Sequence, residues 1–191
     1  MPTLPAARRP FVITRPLLLP AGTLLANALL VLSAKIEVPF WPVPMTLETL
    51  AVLCLAGLFG ARLAGVAVLL WLAEGAAGLP VLAGVAASPA YFLGPTGGYL
   101  AGFLLAALLV GLAADHGLRD RPVILIAAML AGVAVIDLLG VAWLAHLVGW
   151  RQSIQLGLVP FVPADLTKAA LAAALVAVFR RPRFRPRFRQ R

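Results

Sequence analysis

The chain has 191 residues, of which 62% are apolar and only 12% charged, and its mean hydropathy is +1.00. Soluble domains run at about 45–50% apolar and ~25% charged, so a water-solvated globule is excluded and a membrane protein is expected. A single cysteine (Cys54) and two widely separated histidines exclude a disulfide framework, a thiolate metal cluster and a His-based zinc site, while the net charge of +9 calls for an anionic partner.

In chain order, residues 1–16 form a basic, Pro-rich segment, and a membrane domain is expected over 17–180. A span of lipid needs about 20 apolar residues, and six candidates meet or approach that length. They lie at 17–35, 46–61, 63–76, 97–114, 123–149 and 164–180, giving an all-α bundle of six transmembrane helices. The second and third are short, with Gly60, Ala61 and Arg62 between them, and a single fused helix is the alternative. Residues 181–191 are an Arg-rich tail.

Charge decides between the two topologies. With six spans both termini share one side with Arg8, Arg9, Arg15, Arg62, Arg119, Arg121 and the seven arginines from Arg180 to Arg191, thirteen cations against Lys35, Arg151 and Lys168 opposite. That asymmetry marks the crowded side as cytoplasmic. Fusing the second and third helices would bury Arg62 in lipid and split the arginines, so six spans are expected, with both termini in the cytoplasm. Anionic lipid is the expected partner of the tail, at about 1 kcal/mol per basic residue near the surface, and no nucleic acid is called for.

The three outer connections, 36–45, 77–96 and 150–163, are long, apolar and rich in Pro and Gly, where a rigid scaffold usually carries function. The first holds Trp41 in a run of prolines, which suits either an interfacial belt or the wall of a pocket. The second ends in Gly94-Pro95-Thr96-Gly97-Gly98-Tyr99, where helix-opening N–H groups can meet a ligand, and Thr96 and Tyr99 are candidate contacts. The strongest local feature is Asp165 with Lys168. A cation in a first turn opposes the helix dipole, and the i, i+3 spacing favours an internal ion pair. Glu48 and Glu74 fall on the same outer side and are candidates for the same cavity. Asp137, inside the fifth span, reads as an interhelical hydrogen-bonding group, and His146 is not on quite the same face. Neither lysine is followed by Ser or Thr as in a phosphate-binding loop, and no serine lies in a GxSxG motif, so a binding protein is expected before an enzyme, with no cofactor.

Four ordered motifs then carry a resemblance: P-F-W-P-V-P-M-T-L-E-T-L at Pro39–Leu50, G-x-x-G-L-P-V-L-A-G at Gly75–Gly84, G-P-T-G-G-Y-L-A-G-F at Gly94–Phe103 and P-F-V-P-A-D-L-T-K at Pro160–Lys168. Over residues 24–179 the chain resembles the biotin transporter BioY family, the substrate-binding (S) components of energy-coupling factor vitamin transporters. The resemblance implies a bacterial cytoplasmic-membrane protein that binds biotin on its outer side, with Asp165 and Lys168 on the vitamin. It also implies a transmembrane coupling (T) protein and ABC-type ATPases as partners. Gly22 and Ala26, four apart on the first helix, are the candidate docking face or else a tight contact within the bundle. Glu48 stands where family members usually have Gln, and Ala164 where they usually have Gly.

Overall fold

The computed structural model describes residues 18–84, 89–117 and 121–179. The expectations for the N-terminal segment and the arginine tail lie outside them. The described chain runs α1 (Leu18–Lys35), β1 (Glu37–Val38), β2 (Met45–Thr46), α2 (Glu48–Ala76), a 3-10 turn η1 (Pro89–Leu93), α3 (Gly97–Asp115), α4 (Pro122–Val148), α5 (Trp150–Gly157) and α6 (Phe161–Phe179). Helices dominate because lipid offers no hydrogen bonds, and a helix satisfies its backbone within itself.

Helix α2 is two spans. At Gly60 the backbone turns to φ +83° and ψ 177°, and the helix resumes at once. Close approaches on either side of that residue run in opposite directions. Gly57 abuts Met129 and Gly132 faces Leu53, so residues 48–59 run antiparallel to α4. Gly111 meets Ala61, Gly65 meets Leu108 and Trp71 packs against Phe103, so residues 61–76 run antiparallel to α3. Since α3 and α4 are themselves antiparallel, through Gly98 against Leu139 and Gly102 against Ile136, the two arms of α2 form a hairpin. The break falls at Gly60, the first of the residues Gly60, Ala61 and Arg62 that separate the two spans in sequence. Asp115 completes the corner: its Oδ2 accepts the Ala61 N–H at 3.0 Å, as a helix cap would. With both arms of α2 counted and the eight-residue α5 left out, the helices supply six membrane-crossing segments.

The seams are lined by small residues. Ala56, Ala64, Ala67, Ala106, Ala107 and Ala172 are fully buried, which lets backbones approach closely where lipid gives no hydrophobic drive for helices to associate. Large apolar side chains such as Leu25, Leu32, Leu69 and Leu138 instead point outward, as a lipid-facing surface requires.

All three long connections gather at one end of the bundle, here the upper end. The first is pinned by the β1–β2 pair, Glu37 opposite Thr46 and Val38 opposite Met45. The second is tied to it, since Lys35 Nζ donates to the carbonyls of Leu82 (2.7 Å) and Gly84 (2.9 Å), and the Gly84 N–H donates to Glu37 Oε2 (3.0 Å). In the third, the expected loop over 150–163 is largely the short helix α5, and α6 opens at Phe161 instead of 164.

Candidate functional site

The upper end encloses a small cavity lined by Val43, Pro44, Thr46, Glu48, Thr49, Ala83, Tyr91, Thr96, Tyr99, Leu100, Phe103, Ile136, Asp137, Phe161, Asp165 and Lys168. Its open space is about 30 Å³, room for roughly one water. Its walls come from the first arm of α2, from α3, α4 and α6, and from the first two connections.

On α6, Lys168 Nζ donates to Asp165 Oδ1 at 2.8 Å, and the two residues are 9% and 3% exposed. Because α6 begins at Phe161, the pair sits in the second turn and not the first, so the opposing dipole weighs less than the sequence suggested. What holds a lysine there is its carboxylate partner, since an unpaired ammonium at that depth is costly.

Across the cavity Glu48 opens α2. Its Oε2 accepts the Thr46 hydroxyl at 2.7 Å, and its own N–H donates back to Thr46 Oγ1 at 3.4 Å, a local clasp that fixes the carboxylate. Its Oε1 is buried without a partner among the described residues. Tyr99 is held from the far side: its hydroxyl donates to the Gly157 carbonyl at 2.7 Å, and its ring stacks on Phe161 at 6.2 Å. Gly140 makes room for that ring, since a Cβ there would collide with it. Phe40 meets Phe161 edge-on at 6.4 Å, so the first connection closes over the aromatic wall. Burial pushes the Tyr91 phenol above its usual range, leaving a neutral hydroxyl on the loop side.

Of the residues singled out in the sequence, Glu48, Thr96, Tyr99, Asp165 and Lys168 therefore share one cavity. Trp41 does not; it is 76% exposed at the tip of the first connection. Glu74 is also off the cavity, where its Oε2 accepts Asn27 Nδ2 at 3.1 Å and so braces α1 against α2. Within the bundle a Cβ on Gly22 would touch Leu63, and Ala26 is 2% exposed. His146 Nδ1 lies 2.8 Å from the Ala142 carbonyl of its own helix.

Thr46, Tyr91, Phe161 and Asp137 join the site without having been assigned to it. Thr46 carried a signal in its position two before Glu48, and Asp137 in being the lone acid deep within a span. Tyr91 and Phe161 carried none beyond their aromatic character.

The chemistry of this enclosure is acceptor-rich: three carboxyl groups and three threonine hydroxyls surround one ammonium, inside walls that are otherwise aliphatic and aromatic. Such a site suits a compact, mostly apolar molecule with a few N–H donors and at least one acceptor. A family model described as the BioY family matches residues 12–185. The chain belongs to the BioY family. The biotin transporter BioY of Thermotoga maritima is 39% identical over 150 residues, covering 78% of this chain and 88% of that one. The biotin transporter BioY of Rhizobium etli is 34% identical over 170 residues, covering 85% and 91% respectively. The crystal structure of the S-component for biotin from an ECF-type ABC transporter superposes with a TM-score of 0.77 at 28% identity, over 86% of this chain and 91% of that one. This BioY-family chain thus shares its fold with an S-component for biotin over most of its length.

Proposed function

We propose that this protein captures biotin from outside the cell as the substrate-binding component of an energy-coupling-factor transporter, with the upper cavity as its binding site. The observation that carries the reading is the buried Asp165–Lys168 pair facing the unpartnered Oε1 of Glu48 across an apolar cavity. Biotin's ureido ring offers two N–H donors and one carbonyl. Carboxylates suit the donors and Lys168 suits the carbonyl, while Leu100, Phe103, Ile136 and Phe161 suit the fused rings. The bicycle is far larger than one water, so binding widens the cavity.

The thirteen-to-three distribution of basic residues supports cytoplasmic termini in the cytoplasmic membrane, an outward-facing cavity, and a tail lying against anionic lipid. With no phosphate-binding loop in the sequence, the energy for transport comes from a separate coupling protein carrying ATPases. Equilibrium dialysis of radiolabelled biotin against the purified, detergent-solubilised protein tests the binding step, with saturable one-to-one retention expected. Reconstituted alone in liposomes, the protein should bind biotin without accumulating it, and accumulation should begin when the coupling module and ATP are added. Absence of saturable binding would sink the assignment, and concentrative uptake by the chain alone would remove the need for a coupling module.

A further inference from the structure

Asp137 lies midway along α4 and is 7% exposed. A carboxyl group at that depth costs several kcal/mol to desolvate unless something pays it back, so its partner is the question. Its Oδ1 is buried and has none among the described residues. Among the described residues the nearby cation is Lys168, which already donates to Asp165 at 2.8 Å.

The surroundings decide the direction from which a donor can come. Asp137 stands in a thin wall, since it lines the ligand cavity on one side and a separate groove between α4 and α6 on the other. That groove is formed by Val133, Leu138, Val141, Leu158 and Val162 among others, and apart from Asp137 every residue lining it is aliphatic. No donor is available there. The cavity is the one neighbouring space that can bring an N–H to this oxygen, and Glu48 presents a second orphaned acceptor from α2 into the same space.

We infer that Asp137 is a ligand-binding and specificity-setting residue, accepting one ureido N–H of bound biotin from the α4 side. The inference rests on the biotin reading of the cavity and adds to it a third helix that contacts the ureido head. A site built to hydrogen-bond a donor discriminates strongly against analogues lacking it, because its buried acceptor is then left unpaired. It also predicts a cost in the empty protein, where that acceptor is already unpaired.

Equilibrium dialysis on the parent, Asp137→Leu and Asp137→Ala should compare biotin with its two derivatives methylated on one or the other ureido nitrogen. Asp137→Leu is expected to raise the Kd for biotin about ten- to a hundredfold. Its thermal midpoint without ligand should be unchanged or higher, because a buried unpaired charge is removed. The parent should reject one methylated derivative strongly, and the variant should reject it at least about tenfold less, which is the coupling a direct contact produces and a merely structural role does not. Asp137→Ala carries the same comparison if the Leu variant does not purify. An unchanged Kd for biotin, or an equal loss for biotin and both derivatives, would overturn the contact. Failure of the parent to bind biotin would instead strike the reading of the cavity, and it would be visible before any variant is compared.

Discussion

At the scale of single residues, the site depends on carboxyl groups whose partners are few and definite. Lys168 and Asp165 hold each other, and removing either leaves a buried charge uncompensated at about 1–3 kcal/mol or more. Asp165→Ala and Lys168→Ala are each expected to weaken biotin binding by roughly ten- to a hundredfold in protein that still inserts and purifies. Isothermal titration of both variants checks this, and parent-like affinity in both would reduce the pair to a structural role. The pair was legible in the sequence because i, i+3 spacing fixes a common helix face whatever the surroundings. Glu74 was not, because the Asn27 that engages it lies 47 positions earlier and no spacing rule reaches that far. Trp41 was ambiguous for a related reason: prolines fix that the loop is extended, but not which way a ring on it turns.

Elements were legible where lipid imposes a length and less so where a corner had to be placed. The sequence placed the reversal between the second and third spans at Gly60, Ala61 and Arg62, and the corner falls at the first of these, because the turn there needs φ +83° and only glycine adopts it without strain. A side chain at that position would also run into the Asp115 carboxylate. Gly60→Ala should therefore destabilise the protein by about 2 kcal/mol or more, through the positive φ and the collision together. Asp115→Ala should cost about 1 kcal/mol, the usual value of a lost cap. Thermal unfolding in detergent, followed by circular dichroism, is expected to place Gly60→Ala below Asp115→Ala and both below the parent. The short helix α5 was hidden because its eight residues are too few and too polar to signal a span.

For the whole molecule, the three long connections gather at one end of the bundle and Arg62 and Arg121 lie at the other, and we propose from the charge distribution that the latter end is cytoplasmic. Trp41, in the first connection, and His116, just past α3, sit at opposite ends of the bundle. In a Cys54→Ala background, a cysteine at position 41 should react with a membrane-impermeant thiol reagent added to intact cells, and one at position 116 should react only after permeabilisation. Reaction at 116 in intact cells would invert the orientation and place the cavity on the cytoplasmic side. The six-span architecture was readable because burying Arg62 and dividing the arginines both disfavour the alternative. The site was readable only in part, since the cavity forms where four helical segments and two connections converge and no one segment encodes it.

The glycines of α3 also distribute compliance unevenly around the proposed binding site. Gly98 and Gly102 seat α3 against the backbone of α4 at Leu139 and Ile136, and Gly111 seats it against Ala61, with no room for so much as a methyl group. A wall joined in that way yields only by unpacking. The opposite wall is held more lightly, by Lys35 to the Leu82 and Gly84 carbonyls, Glu37 to the Gly84 N–H and Trp143 to the Gly94 carbonyl at 2.9 Å. Room for a ligand is therefore expected to come from deflecting the loops while the helices behind them stay in register. Hydrogen–deuterium exchange should register this as biotin-dependent slowing at residues 82–84 and 91–96, with the amides of 100–112 exchanging alike in the empty and filled protein. Changes spread evenly over α3 would mean that the stiff wall bends after all.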